Sequence, residues 1–267
     1  MDGIDIGFFD FDRHNALYYF IINADEQIYM RYGGRDAESA TSYLNLRSLE
    51  LALTEGLEIH ASGEVPQVPR PQSLYPTDIP LLKSRTAWRG ECVECHLIAD
   101  YQNIQKERDG TLDRLRDMYR SPDIKTIGIY LNVPFGLQVA DAKGAVAEAG
   151  LQPGDELTDI NDIRVRTFGD LQFYYDKVPR DSRQITLGIL RDETPSALQV
   201  ELPERWWVTD LDFRHWTVDP VVFFQTQPLS AERKAELGFP VAGFAGEITD
   251  KERFHKFATP PLKRRDI

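Results

Sequence analysis

Residues Ala145–Leu157 read AVAEAGLQPGDEL, and this stretch decides the fold of the second half of the chain. Its alanine-rich beginning favours a short helix, and Gly150 is the residue type that commonly ends one. Pro153-Gly154-Asp155 has the composition of a tight turn, because proline and glycine supply the φ values that such turns require. The stretch therefore predicts a helix, a turn and the start of a strand.

The residues that follow predict more strands and one more helix. Asp159–Ile163 (DINDI) has the pattern of a strand, a turn and a second strand. A helix is expected from Asp170, as its N-cap, to Val178. Two closing strands are then expected, over 185–190 and 197–202.

Over 127–203 this pattern, with its AGLQPGD core and its asparagine turn, resembles a bacterial PDZ domain of the kind attached to HtrA-type proteases. The resemblance implies that an extended peptide adds as a strand beside the second helix, while a backbone loop holds its carboxylate. It implies a peptide site at Thr126, Ile127, Gly128, Ile129, Phe168, Leu171 and Tyr175. No G-x-S-x-G motif accompanies the domain, so protease activity is not expected.

The first 60 residues predict a hairpin followed by a helix. Ala16–Ile22 (ALYYFII) and Ile28–Tyr32 are apolar runs separated by turn residues, which indicates two antiparallel strands. Gly33-Gly34 ends the second strand. From Tyr43 to about Ile59, leucines recur at helical spacing and predict a helix over one face of the hairpin.

This ββα unit, with Phe11-Asp12 before it and Arg31–Arg35 (RYGGR) inside it, resembles the closing half of a thioredoxin-like domain. It departs from that family in having no cysteine and no proline before the first strand. The opening half would lie before Met1, so we expect a longer reading frame or a partner chain that covers the exposed sheet edge. A longer frame would favour an extracytoplasmic, periplasmic location, whereas the sequence read literally favours a cytoplasmic one.

Both cysteines lie in Glu91–His96 (ECVECH), and the motif admits several chemistries. At a helix N-terminus, Cys92 would attack a disulfide and Cys95 would resolve the mixed disulfide. CxxCH is also the attachment pattern of haem c, in which both cysteines form thioethers, His96 binds the iron and Met118 is a candidate distal ligand. Two inert thiols are a further alternative. Structural zinc is the last, and it needs a distant histidine as ligand, either His60 or His255.

The sequence thus predicts an α+β protein built of five parts. They are a partial thioredoxin-like unit (1–60), a proline-rich linker (61–87), a helical CxxCH segment (88–120), a PDZ domain (121–203) and an extension that packs on it (204–267). This order resembles a family of bacterial thioredoxin-like/PDZ proteins, some with selenocysteine in the CxxC. That resemblance implies thiol redox chemistry, with the PDZ domain binding a partner; a haem electron carrier and a non-catalytic scaffold are the alternatives.

Composition limits the partners. The chain of 267 residues carries 43 acidic and 31 basic side chains, a formal net charge of −12, which repels phosphate backbones. We therefore expect no nucleic acid partner. No apolar run approaches the 18 or more residues that would span a bilayer, so no membrane span is expected either.

Overall fold

The computed structural model describes residues 3–66, 68–89, 93–209, 224–243 and 245–251. Helices and strands are mixed, which confirms the α+β class. The helices are α1 (Leu46–Ser62), α2 (Pro80–Arg89), α3 (Cys95–Arg108), α4 (Arg114–Asp117), α5 (Gly144–Glu148), α6 (Phe168–Lys177) and α7 (Ala231–Glu236). The strands are β1 (Tyr18–Ile22), β2 (Ile28–Gly33), β3 (Ile129–Leu131), β4 (Val139–Ala142), β5 (Glu156–Ile160), β6 (Ile163–Arg164), β7 (Gln184–Arg191), β8 (Thr194–Glu201), β9 (Phe224–Pro228) and β10 (Gly246–Lys251).

The predicted hairpin and helix form an N-terminal unit. Strands β1 and β2 pair antiparallel, and every residue of β2 is buried. Helix α1 packs on the hairpin through Met30, Ala52 and Ile59. Asn45 caps the start of α1, where its side chain accepts a hydrogen bond from the Arg47 amide at 2.9 Å. Helix α1 ends at Ser62, three residues beyond the predicted end at about Ile59. It ends there because Gly63 adopts the left-handed conformation of a C-cap.

The proline-rich stretch is not extended throughout, contrary to expectation. Pro76 begins a 3-10 turn and Pro80 begins α2, and both positions suit proline because the first turn of a helix uses no backbone N–H there. Helix α2 packs against α3 in a small core made of Ile79, Leu82 and Ile98. Ile6 completes this core. Helix α3 therefore packs against the residues that precede β1, and we call residues 3–17 the N-terminal segment.

The second half of the chain forms a β unit around the main core. Strands are ordered β6-β5-β7-β8 in one sheet, and β3 pairs with β4 in another. The sheets are joined where the Val139 amide donates to the Asp155 carbonyl at 2.7 Å. The predicted α5 and its turn are present, and Arg191 holds the buried Asp155 carboxylate of that turn at 2.6 Å.

Helix α6 begins three residues earlier than predicted, with Thr167 and not Asp170 as its N-cap. Thr167 has an extended backbone, and its hydroxyl accepts the Asp170 amide at 3.2 Å. Asp170 occupies the third helical position, from which its carboxylate accepts the amide of Arg166 at 3.4 Å. The carboxylate thus satisfies the amide of the residue before the N-cap, and Thr167 and Asp170 both stabilise the same helix start.

Two tryptophans directly after β8 belong to the main core. Trp206 and Trp207 are buried in the main core, Trp206 against Tyr175 and Trp207 against Tyr119. Strands β9 and β10 pair antiparallel, and Ser230 caps the start of α7, where its side chain accepts the Arg233 amide. Within the described residues, no helix is both long and apolar enough to cross a membrane.

Candidate functional site

Cys95 is the first residue of α3, so the cysteine motif leads directly into a helix as predicted. Its thiol is half-buried and free. Cys92 lies outside the described residues. Peptide dipoles at a helix N-terminus favour a negative charge there, and the thiolate is the reactive form of cysteine. The position of Cys95 is therefore suited to thiol chemistry.

A buried arginine from the N-terminal segment lies near this thiol. Arg13 is 3% exposed, and its guanidinium donates to the Ile6 carbonyl at 2.7 Å. Burial lowers the pKa of Arg13, while the charges of Asp10 and Cys95 act in the opposite direction. A buried cation therefore belongs to the electrostatic surroundings of Cys95.

A buried aspartate of α3 lies between two histidines, His96 of the same helix and His14 of the residues before β1. Asp100 is 2% exposed, and its two carboxylate oxygens lie 3.8 Å from His14 Nε2 and 3.9 Å from His96 Nδ1. The other nitrogens of the imidazoles also face carboxylates: His14 Nδ1 lies 3.3 Å from Asp12, and His96 Nε2 lies 2.5 Å from Glu94. Carboxylates and imidazoles therefore alternate from the N-terminal segment to the CxxCH motif.

Asp10 connects this region to the β unit. Its carboxylate pairs with Arg120 at 2.8 Å, Lys177 of α6 at 3.3 Å and Arg13 at 3.9 Å. Burial opposes ionisation of Asp10, but Arg120, Lys177 and Arg13 outweigh it and lower its pKa to about 2. These residues line a cavity of about 210 Å³, together with Asn103 of α3.

The haem interpretation does not fit these side chains. Both His96 nitrogens face carboxylates, and the imidazole is 43% exposed beside Glu94. Met118, the candidate distal ligand, is 4% exposed. Iron ligation through His96 would have to break its contact with Glu94 and open its Nε2 to a metal.

The zinc interpretation finds no support in the described part of the chain. The His60 Nδ1 lies 2.6 Å from the Tyr29 hydroxyl inside the N-terminal unit. His255 lies outside the described residues. Among the residues that the structure describes, no group of three or more His, Cys, Asp and Glu side chains is arranged to hold a metal.

The residues predicted to bind a peptide belong mostly to the core. Thr126 is exposed; Ile127, Gly128, Ile129, Phe168, Leu171 and Tyr175 are buried. The Tyr175 hydroxyl lies 3.4 Å from that of Thr126, which ties α6 to the predicted carboxylate loop. Phe168 is covered by Tyr43, whose ring is stacked on it with centroids 3.3 Å apart. The N-terminal unit therefore closes this end of the predicted groove.

Ion pairs hold the covering segment in place. Lys125 Nζ, next to the predicted loop, pairs with Asp36 at 2.8 Å and Glu38 at 2.5 Å. The Ala37 amide donates to Asp123 at 3.4 Å. Residues 34–43 thus lie against the loop and helix α6, and we call them the covering segment.

At Arg31, the edge of β2 is contacted by helix α6 of the same chain, whereas the sequence predicted a longer reading frame or a partner chain there. The Arg31 amide donates to the Asp170 carboxylate at 3.0 Å, and the Thr167 hydroxyl donates to the Arg31 carbonyl. Gly169 permits this approach, because a Cβ there would lie 2.6 Å from the Arg31 carbonyl oxygen. The first turn of α6 therefore takes the place that a neighbouring strand would have.

Sequence reasoning did not find Arg13, His14, Asp100 or the contact between Arg31 and Asp170. Three charged residues and a histidine stand close together in Asp10–His14 (DFDRH), just before a predicted strand. This cluster is the sequence signal that could have indicated Arg13 and His14. No known protein family matches the chain, and comparison with curated proteins gives no match either.

Proposed function

We propose that this chain is a thiol-disulfide exchange protein in which Cys92 and Cys95 are the reacting pair. The observation that carries the proposal is the position of Cys95, which begins α3 and interacts electrostatically with the buried guanidinium of Arg13. A helix N-terminus and a nearby cation are surroundings that favour a thiolate, and Cys95 must become a thiolate to resolve the mixed disulfide at Cys92. The resemblance to bacterial thioredoxin-like/PDZ proteins supports the same chemistry.

The reaction follows from the roles of the two sulfurs. The Cys92 thiolate attacks a disulfide in a substrate protein, which breaks that S–S bond, forms a mixed disulfide and releases one substrate thiolate. Cys95 then loses its proton and attacks Cys92, which releases the second substrate thiolate. Two electrons pass to the substrate, whose thiolates take up two protons, and a thiol reductant must reduce the Cys92–Cys95 disulfide for another cycle.

The proposal includes a partial thioredoxin-like fold for 1–60 and a PDZ fold for 121–203. The hairpin followed by α1 supports the first, and the AGLQPGD turn with the β6-β5-β7-β8 order supports the second. Because the covering segment lies over Phe168, the PDZ-like unit holds another part of the same protein. A free peptide or partner protein therefore competes with residues 34–43 for this surface.

A trapping experiment tests the redox proposal. The reduced Cys95→Ser protein should accumulate a mixed disulfide with a disulfide-containing test protein, because Cys92 attacks but nothing resolves the adduct. Cys92→Ser should form no adduct under the same conditions, and wild type should release reduced substrate. Equal behaviour of all three proteins would leave only the scaffold interpretation. A Soret band after expression with haem c maturation would instead support the electron carrier.

A further inference from the structure

Positive charge is in excess around the cavity that Asp10 lines. The cavity of about 210 Å³ lies between the N-terminal segment, α3, α4 and the end of α6. Four carboxylates line it. Facing them are two lysines and three arginines: Arg13, Lys106, Arg116, Arg120 and Lys177. This wall is therefore built of more basic than acidic side chains.

Two of the four carboxylates are paired with arginines that do not line the cavity. Asp12 lies 2.7 Å from Arg35 Nε, and Asp176 lies 2.7 Å from Arg180. Their negative charges are thus offset from behind the cavity wall. Only two carboxylates remain to offset the five cations inside it.

Asp10 is one of these two, and it is shared by three cations. Its carboxylate lies 2.8 Å from Arg120, 3.3 Å from Lys177 and 3.9 Å from Arg13. Burial opposes ionisation of Asp10, yet the three cations lower its pKa to about 2. One carboxylate neutralises one of the three, so their surplus charge favours a further anion in the cavity.

Two of the lining arginines have donors to spare. Arg13 is 3% exposed, and among the described residues its Nε has no hydrogen-bond partner. Arg116 is half-buried, and its guanidinium makes no ion pair or hydrogen bond with the part of the chain that the structure describes. A guanidinium carries five N–H donors in a planar fork, whose geometry matches two oxygens of one oxyanion.

We propose that this cavity binds a small, doubly charged oxyanion, either inorganic phosphate or the phosphate group of a small molecule. Arginine binds phosphate through paired N–H···O hydrogen bonds, and lysine binds it as a point charge. The cavity volume of about 210 Å³ is several times the roughly 30 Å³ that a water molecule occupies in the liquid, so a tetrahedral oxyanion fits with water around it. The proposal goes beyond thiol-disulfide exchange and does not depend on it.

Calorimetric titration with inorganic phosphate at pH 7 tests the proposal, with the ionic strength held constant by sodium chloride. Wild type should bind one phosphate per chain. Arg116→Gln removes a cation that has no other partner in the described chain, and it should weaken the affinity about tenfold or more. Arg114→Gln is the matched control, because Arg114 belongs to the same helix, pairs with Glu107 at 2.9 Å and does not line the cavity. Its affinity should equal that of wild type.

Asp10→Asn should change the affinity in the opposite direction. The Asp10 carboxylate competes with the ligand for the same three cations, so its removal should tighten phosphate binding. If these cations served only to hold the fold together, the substitution would not tighten it. Lys177→Gln keeps the test decisive where Asp10→Asn does not fold: its side chain is 41% exposed, and its loss should weaken binding as Arg116→Gln does.

A parallel titration with glycerol phosphate distinguishes the two sources of the ligand. Binding of both compounds would assign the site to the phosphate group of a small molecule, and binding of the free ion alone would assign it to inorganic phosphate. Two results would overturn the proposal. One is that neither compound gives saturable heat or raises the melting temperature beyond the effect of sodium chloride. The other is that Arg116→Gln and Lys177→Gln bind phosphate as tightly as wild type.

Discussion

Substitution of Gly34 is the most direct test of how the N-terminal unit packs on the β unit. Its φ is +142°, a region that residues with a side chain rarely adopt, and a Cβ there would collide with the Phe168 ring. That ring cannot move away easily, because Tyr43 is stacked on it. Gly34→Ala therefore introduces both backbone strain and a steric clash at the covering segment.

The two effects have separate magnitudes. A side chain in so strained a backbone region costs about 1–3 kcal/mol, and forcing an extra carbon into a packed core costs about 1–3 kcal/mol more. We expect Gly34→Ala to lower the free energy of unfolding by about 2–6 kcal/mol. Gly63→Ala is the matched control: its φ is +73°, and nothing lies within 4 Å of the added carbon, so only the strain of about 1 kcal/mol remains.

Urea denaturation, followed by far-UV circular dichroism and tryptophan fluorescence, measures both variants. Trp206 and Trp207 are in the core of the β unit, so their fluorescence reports on it separately from α1. Phe168→Leu should relieve part of the clash, which a double-mutant cycle detects as a coupling of about 1 kcal/mol or more between the two positions. If Gly34→Ala costs no more than Gly63→Ala, or if the cycle shows no coupling, this docking of the covering segment is wrong.

Three further predictions concern buried or partly buried charges. Burial raises the pKa of Asp170 to about 6 although Arg31 acts to lower it, so the folded protein favours the protonated carboxyl group. The free energy of unfolding should therefore fall by up to about 3 kcal/mol as the pH rises from 4 to 7. In urea titrations at these pH values, Asp170→Asn should lack this part of the fall. Asp10 behaves oppositely: Asp10→Asn should cost about 2 kcal/mol at pH 7, and the difference from wild type should vanish as the pH falls through about 2. Lys125→Met should change stability by less than about 1 kcal/mol, since its ion pair with Asp36 is partly exposed; a larger loss would mean that this pair anchors the covering segment.

Elements set by short-range chemistry were predictable from the sequence. The turn after Gly150 was found because glycine, proline and aspartate specify it within a few residues. In the structure, the Leu151 amide donates to the Val146 carbonyl at 3.0 Å, inside the same stretch. The hairpin was equally clear, since two apolar runs flank the turn residues. Such features depend on neighbours along the chain and need no knowledge of the packed whole.

The start of α6 could not be predicted from local sequence preferences alone. Thr167 and Asp170 are both good N-cap residues, three positions apart, and either choice satisfies propensity alone. The structure uses Thr167 as the cap and gives the Asp170 carboxylate a second partner, the Arg31 amide, 139 residues away along the chain. No periodic pattern in the sequence predicts this contact between Arg31 and Asp170. The same holds for Arg13 and His14, which reach α3 only through packing.

The region of Asp10–His14 is the feature that joins the proposed functions. Asp10 holds Lys177 of α6, Arg13 lies beside the Cys95 thiol, and His14 faces Asp100 of α3. Displacing the N-terminal unit from the β unit would therefore also move the charged groups around Cys95. A partner that competes with the covering segment would, by this route, change thiol reactivity without touching either cysteine.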